Sequence, residues 1–511
     1  MLPTQPNSNH IVDLINQGKD NAPALIAPNR PTLSYAELRK QINRTSDQLN
    51  EIGIDGNMTV AIVLPNGPEM ASAFISIAAC ATTAPLNPAY RQEEFEYYLN
   101  DLKTDLLVVI EDKNAPAYKA AKKLGIPIAK LNFSTDDPAG VFELTAKKLN
   151  GHAGKISLEK KDAVALVLHT SGTTSRPKIV PLTHENICTS AKNIAVSLKL
   201  KDSDRCLNVM PLFHIHGLIA AVLASLYAGS SIICSSGFNA LQFFLLLREH
   251  KPSWYSAVPT MHQTILSRAS RNIKIIGETP LRFIRSSSAS LPSQVMKELE
   301  SVFSCPVIEA YGMTEAAHQM TCNPLPPQLR KPGSVGIAAG PEVRIMDANN
   351  NLMENEKIGE IVIRGANVTN GYRNNDAANA EAYSSGWFRT GDQGIIDNEG
   401  YLRLTGRLKE IINRGGEKVS PREVDEIILD HPAVSQVVTF SIPHKRLGET
   451  VAAAIVLNDG QKISEGEIKF FVGKRLANFK VPERVLFLDE IPKGVTGKLQ
   501  RIGLAKKLGL N

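Results

Sequence analysis

The chain has little that ties it to a membrane, a structural metal or an oxidising compartment. Its six cysteines (Cys80, Cys188, Cys206, Cys234, Cys305 and Cys322) are scattered and form no C-x-x-C pair. That excludes a zinc ribbon or dithiol site and reads as reduced thiols in a cytoplasmic-type compartment. The first ten residues are polar and lack the apolar core of a signal peptide. An apolar stretch, Leu218 to Cys234, is interrupted by Ser225, Tyr227, Gly229, Ser230 and Ser231. It predicts a buried helix–turn–strand and no membrane span. The net charge of +6 is mild, and no basic run is interleaved with aromatics, which argues against nucleic acid as a partner. No internal repeat or low-complexity linker occurs, and Gly509-Leu510-Asn511 is not a peroxisomal address. What remains is an ordinary globular composition, 43% hydrophobic and 21% charged. A length of 511 residues is too great for one core and predicts two or more domains.

Strand-like and helix-like segments alternate through the first two thirds. Leu33 to Leu49 has helical spacing behind Thr32 as a cap, and Thr59 to Leu64 reads as a strand. Asn66-Gly67-Pro68 opens a helix to about Cys80, Glu93 to Leu99 is helical, and Leu106 to Ile110 is a strand. The pattern resumes with strands at Ser231–Cys234, Trp254–Ala257, Arg282–Ser286 and Val307–Tyr311, and with helices at Leu241–Glu249 and Met261–Arg268. Such alternation predicts an α/β fold of parallel or mixed sheets with helices on both faces. Ligands in such sheets lie beyond the carboxyl ends of strands. The loops after Leu168, Ile284 and Ala310 are therefore expected to converge on one crevice. From Lys331 helical periodicity disappears. Short strands at Val343–Met346, Glu360–Arg364, Trp387–Asp392 and Tyr401–Thr405 predict a small antiparallel barrel or sheet. After Arg407 a compact α+β segment follows, with a Gly415-Gly416 turn and a helix opened by Ser420-Pro421.

The most informative stretch is His169-Thr170-Ser171-Gly172-Thr173-Thr174-Ser175-Arg176-Pro177-Lys178. It follows Ala163 to Leu168, which reads as a buried strand. Hydroxyls, free backbone N–H groups and then a cation suit a polyphosphate. A polar turn capping a strand is the bland alternative, but it has no need of Arg176 and Lys178 flanking a proline. The stretch is not the kinase-type loop G-x-x-x-x-G-K-S/T, because Lys178 leads into Ile179-Val180-Pro181.

These ten residues resemble the phosphate loop of the adenylate-forming (ANL) superfamily of acyl-CoA synthetases, carrier-protein adenylation domains and luciferases, whose usual pattern is T-S-G-T-T-G-x-P-K. Ser175 departs from it, and plant oxalate–CoA ligases carry the same serine. The other motifs occur in order. Pro211-Leu212-Phe213-His214-Ile215-His216-Gly217 resembles the aromatic gate before the acyl pocket, and Tyr311-Gly312-Met313-Thr314-Glu315 the adenine and metal motif. Trp387 to Asp392 and Thr405-Gly406-Arg407 resemble the ribose motifs, and Pro492 to Arg501 the C-terminal lysine motif. The resemblance spans about Asn21 to Arg501.

The resemblance implies an acetyl-CoA synthetase-like architecture. Residues 1–407 would form an N-terminal AMP-binding domain, with 331–407 as its barrel-like part, and residues 408–511 a mobile C-terminal lid. It implies a nucleotide site made of Thr170, Ser171, Gly172, Thr173, Thr174, Ser175, Lys178, Ser288, Ala289, Ser290, Glu309, Ala310, Tyr311, Gly312, Met313, Thr314, Asp392, Arg407 and Lys498. Tyr311 would stack on adenine, and Gly312 would allow close backbone approach. Asp392 would accept from both ribose hydroxyls. Glu315, with Thr174, would hold Mg²⁺. Lys498, His214, Thr314 and Glu315 are the implied catalytic set. His214, Ser288 and His318 would face the carboxylate substrate, and Gly415 and Gly416 would line the coenzyme A tunnel. Lys409 falls at the hinge, where many members have Asp.

The implied reaction is AMP-forming ligation of a carboxylate to coenzyme A, with ATP, Mg²⁺ and coenzyme A required and no obligatory protein partner. Arg282 to Leu291, His318, Asn367 to Tyr372 and Asn413 to Lys418 resemble the oxalate-specific subgroup, and a small dianion needs donors where an apolar acid needs a greasy wall. The alternatives are a ligase for a medium-chain or aryl acid and an adenylation enzyme serving a carrier protein. No phosphopantetheine-attachment segment follows Arg501, which counts against the latter. The resemblance makes Lys498 the mobile cation at the α-phosphate. Lys498→Ala is therefore expected to slow adenylation by ~10²–10³ while sparing thioester formation from supplied acyl-AMP. Equal losses in separately measured half-reactions would contradict that role.

Overall fold

The computed structural model describes residues 9–149, 162–170, 177–492 and 501–510. Two compact units emerge. The first comprises the described residues up to Thr170, those from Pro177 to Glu342, and those from Arg364 to Glu381. The second comprises Val343 to Ile363 and the described residues from Ala382 onward.

The first unit holds two mixed sheets. A nine-stranded sheet runs in the order Ile337–Ala338, His318–Cys322, Val307–Met313, Phe283–Ser286, Trp254–Ala257, Arg205–Asn208, Ser231–Cys234, Pro23–Ile26 and Leu33–Ser34. Its central strands pair parallel and its edges antiparallel. A seven-stranded sheet runs Glu143–Thr145, Ile128–Asn132, Leu106–Val109, Thr59–Val63, Thr82–Pro85, Val164–His169 and Ile179–Thr183. Parallel strands covered on both faces are apolar throughout, as in Leu106–Val109, where all four residues are buried. The helix Pro68–Ala78 is buried on every side. It packs against Thr59–Val63 and Thr82–Pro85, and also against a π-helix at His216–Leu223. An all-round apolar helix needs such a setting.

Three expectations are corrected. The cap of the first long helix is Ser34 and not Thr32: its hydroxyl accepts from the Glu37 amide, Glu37 reaches back, and Leu33–Ser34 is a short strand. The strand expected to stop at Tyr311 continues to Met313, because it gains a hairpin partner in His318–Cys322. A short helix, Asp376–Ala382, interrupts the region expected to lack one.

Glu342–Met346, Ile358–Arg364, Tyr383–Ser384, Trp387–Ile396 and Leu402–Arg407 form a five-stranded sheet that belongs to the second unit except for its end residues Glu342 and Arg364. A second five-stranded sheet is built on the long hairpin Val434–His444 and Gly448–Leu457 and is covered by helices Pro421–Leu429 and Glu465–Gly473. Among the described residues no helix is long and apolar enough to cross a membrane.

Burial holds three histidines of the first unit neutral. Desolvation pulls His184 and His262 down to about 3, and lowers His10, whose ring stacks on His184 with centroids 3.8 Å apart. A histidine depressed on folding binds its proton more readily when unfolded. Its contribution is intact above the unfolded value of 6.5 and is lost as pH falls toward the folded value. Each such group removes roughly 1.4 kcal/mol per pH unit in that window. The urea midpoint is expected to drop between about pH 7 and about pH 5, and an unchanged midpoint would contradict it.

Candidate active site

Two paired strands flank the phosphate stretch. Val164–His169 pairs antiparallel with Ile179–Thr183. At the end of this pair the Thr170 amide donates to the Lys178 carbonyl (2.9 Å), and the Lys178 amide to Thr170 Oγ1 (3.1 Å). Ser171, Gly172, Thr173, Thr174 and Ser175 lie outside the described residues. The Lys178 ammonium stands 4.4 Å from the centroid of the Tyr372 ring, within cation–π range. The Tyr372 hydroxyl donates to Glu315 Oε1 at 2.8 Å. The same segment is pinned on both sides: the Thr369 amide donates to the Glu315 carbonyl (2.7 Å), Thr369 Oγ1 to the Pro181 carbonyl (2.7 Å), and the Arg373 amide to the Ile179 carbonyl (3.0 Å). The phosphate hairpin of one sheet and the Glu315 turn of the other thus meet through residues 369–373.

Glu315 lies on a single 3₁₀ turn, Thr314–Ala316, that links Val307–Met313 to His318–Cys322. Gly312 is required there for a reason internal to the hairpin: a Cβ on it would lie 1.5 Å from the His318 carbonyl oxygen. Ala317 and His318 both adopt positive φ, +46° and +99°, unusual for residues with side chains. Asn367 holds this turn from below, its Nδ2 donating to the carbonyls of Ala316 (2.8 Å) and Gln319 (3.0 Å). Ser288 also has positive φ, +71°, so two of the three residues expected to face substrate sit in costly backbone states. Such strain concentrates at functional sites. Ser287, beside Ser288, is tied to the strand Val307–Met313, its hydroxyl donating to the Ala310 carbonyl at 2.8 Å. Glu309, Ala310 and Tyr311 are buried along the same strand.

His214 and His216 divide. His214 sits in the turn before the π-helix, tilted against Phe213 with centroids 4.6 Å apart. His216, which sequence reasoning left without a role, is fully buried at the first π-helical position, a rare geometry frequent at functional sites. Gly217 permits the turn, since a Cβ there would meet the Pro211 carbonyl at 2.4 Å. His216 Nδ1 is 3.0 Å from Ser288 Oγ and Nε2 is 2.6 Å from Ser256 Oγ. Its ring stacks on His318 at 4.9 Å and 22°. Ser288, His216 and His318 therefore form one wall, with Arg285 behind it (Nη1 to Ser256 Oγ, 3.3 Å). Sequence reasoning also gave no role to Asn367 or Tyr372. One signal was available for Arg285, a charge set inside the strand Phe283–Ser286.

In the second unit Asp392 and Arg407 face each other across adjacent strands, with Arg407 Nε 2.8 Å from Asp392 Oδ1. Lys409 lies in the 3₁₀ turn Leu408–Glu410. Gly415 and Gly416 have φ of +62° and +98° and close the hairpin of Ile412–Arg414 with Glu417–Val419, as a two-residue turn of that hand demands. Lys498 lies outside the described residues, but Arg501 just beyond it is paired with Glu410 (3.2 Å) and with buried Asp425. Among the described residues no group of three or more His, Cys, Asp or Glu is arranged to hold a metal.

Comparison with known proteins gives a consistent picture. Residues 14–373 match the family described as AMP-binding enzyme, and residues 423–498 its AMP-binding enzyme C-terminal domain. The chain is 45% identical over 493 residues to an oxalate–CoA ligase of Arabidopsis thaliana, covering 94% of each chain. It is 43% identical over 472 residues to an oxalate–CoA ligase of Saccharomyces cerevisiae, covering 88% of this chain and 86% of that one. Among solved structures it is similar to ATP-bound MatB from Rhodopseudomonas palustris, with a TM-score of 0.88 at 27% identity over 98% of this chain and 99% of that one.

The Gly312–His318 approach generates a stability prediction. Gly312→Ala must push the hairpin open and is expected to cost about 1–3 kcal/mol, as other overpacking does. Gly277→Ala, where a Cβ meets nothing within 4 Å, is expected to be neutral or slightly stabilising. Urea midpoints of the two variants check this, and equal midpoints would contradict it.

Proposed function

The chain belongs to the AMP-binding enzyme family, and from that premise we propose that it is an AMP-forming oxalate–CoA ligase, converting oxalate, ATP and coenzyme A to oxalyl-CoA, AMP and diphosphate. One observation carries the substrate: the side chains gathered around Ser288 are imidazoles and hydroxyls, with a guanidinium behind them. An aryl or medium-chain acid gains affinity from apolar burial. Such a wall would forfeit that gain, whereas a dianion leaving water needs donors. The oxalate–CoA ligases at 43–45% identity support the same reading.

Two steps follow. A carboxylate oxygen of oxalate attacks the α-phosphorus of ATP, the bond to the β-phosphate bridging oxygen breaks, and diphosphate leaves with that electron pair. The coenzyme A thiol then attacks the acyl carbon, loses its proton, and AMP departs. No side-chain nucleophile is needed, so catalysis is positioning and charge stabilisation. Thr170, Lys178 and Thr314 would hold phosphate, Tyr311 adenine, and Asp392 with Arg407 the ribose. Mg²⁺ would arrive with its nucleotide as part of the substrate. Glu315 suits this ion, since its carboxylate is buried and oriented by Tyr372, and Mg²⁺ commonly takes one or two carboxylates alongside phosphates. We read residues 408–511 as a lid turning about Lys409 between the steps, bringing Lys498 to the first and the Gly415-Gly416 turn to the second. Free coenzyme A as acceptor requires no protein partner. The six buried, unbridged cysteines suit a reducing cytoplasm.

Diphosphate release measured across oxalate, malonate, coumarate and octanoate, with and without coenzyme A, tests the assignment. Highest turnover on oxalate is expected, and preference for coumarate or octanoate would overturn it. Within the oxalate reading, His318→Ala leaves the second carboxylate short of a donor. A hydrogen bond to a charged group is worth ~1.5–3 kcal/mol, so the specificity constant for oxalate should fall roughly ten- to over a hundredfold. A short monocarboxylate should lose less and the ATP Michaelis constant should hold. Equal loss for both acids would mean that His318 only secures its turn.

A further inference from the structure

Arg285 is a large charged side chain with no exposure, set in the middle of the nine-stranded sheet. A guanidinium in such a place ordinarily sits against a carboxylate, because an uncompensated buried charge is costly. Here none of its partners among the described residues is a carboxylate. Nη1 faces Ser256 Oγ (3.3 Å) and His216 Nε2 (3.5 Å), Nη2 donates to Gln319 Oε1 (3.2 Å), and Nε has no hydrogen-bond partner. Burial pulls its pKa down to about 10, which leaves it positive at neutral pH. A fold that keeps an unpaired cation here leaves the matching anion to come from outside.

One assignment of the hydrogen bonds around it makes them all run one way. Guanidinium groups only donate, so Ser256 Oγ accepts from Arg285 and its own proton is free for His216 Nε2, 2.6 Å away. With Nε2 accepting, the ring proton belongs on Nδ1, which then donates to Ser288 Oγ at 3.0 Å. Ser288, its acceptor side thus engaged, turns its hydroxyl proton toward the candidate acyl site. Such a chain polarises each member in the same sense.

Building on the oxalate reading, we propose that Arg285 is the specificity-determining positioning residue of the acyl site. Its charge, passed through Ser256 and His216, fixes Ser288 as a donor and selects substrates carrying a second carboxylate. Arg285 acts through these residues and does not itself touch the reacting atoms.

Two variants remove the charge by different routes. Gln319→Glu sets a carboxylate against Nη2 with almost no change in volume, giving up the bonds from Nε2 to Ser197 Oγ and the Ala339 carbonyl. Arg285→Met removes the guanidinium outright. The quantity to measure is the ratio of specificity constants for oxalate and acetate, with the ATP Michaelis constant and thermal midpoint alongside. For an acid that is not turned over, its inhibition constant stands in. Both variants are expected to lower the ratio about tenfold or more at an unchanged ATP constant, and Arg285→Lys, which keeps the charge, should retain most of it. A ratio unchanged in folded Gln319→Glu would overturn the proposal, as would equal losses on both acids. The wild-type ratio tests the functional reading separately. A wild type that prefers acetate sinks that reading, while the response of the ratio to the variants still decides the role of Arg285.

Discussion

Two separate sheets supply this site, and the hydrogen bonds of Thr369 and Tyr372 bind them together at one end. The phosphate hairpin belongs to the seven-stranded sheet and the Glu315 turn to the nine-stranded one. Nothing in the connectivity of either sheet obliges their tips to meet. Thr369 spans the gap with one bond to Pro181 and one to Glu315, and Tyr372 lays its ring beside Lys178 while its hydroxyl holds the Glu315 carboxylate. Without that strap the Lys178 cation and the Glu315 carboxylate would have no fixed separation. Asn367, two residues before Thr369, extends the same strap to the carbonyls on either side of His318.

Much of this was legible in the sequence because it depends on local chemistry. Trp254–Ala257 was expected at its observed bounds, and the alternation of strands and helices marked the α/β fold through period and punctuation alone. The misplaced cap at Thr32 shows the limit. Thr and Ser are near-equivalent caps, and only the reciprocal bond with Glu37 singles out Ser34. The strand to Met313 escaped notice because its last residues are held by a partner strand and not by their own propensity.

The site divided along similar lines. Thr170, Lys178, Tyr311, Glu315 and His318 stand in contiguous strings whose order carries meaning. Arg285, His216, Ser256 and Gln319 are joined only through space, across separations of 29 to 69 residues. A sequence presents a charged residue inside an apolar strand as an anomaly without saying what it faces. Gly312 was expected to allow close approach of backbone, and a Cβ there would strike the carbonyl of His318. The lack of a side chain there thus also serves the neighbouring strand.

The wall around His216 also bears on how such a protein can change over generations. Its members are hydrogen-bonded to one another, so replacing any one by an apolar residue strands a buried donor or acceptor on the next. Losses at residues in one network do not add. A lineage drifting toward a greasy acid could not travel by single harmless steps through Ser256, His216 and Arg285, because each intermediate would carry an unsatisfied polar group. It would have to exchange several residues nearly at once. That barrier would tend to keep a small-dianion pocket polar long after other parts of the chain had diverged.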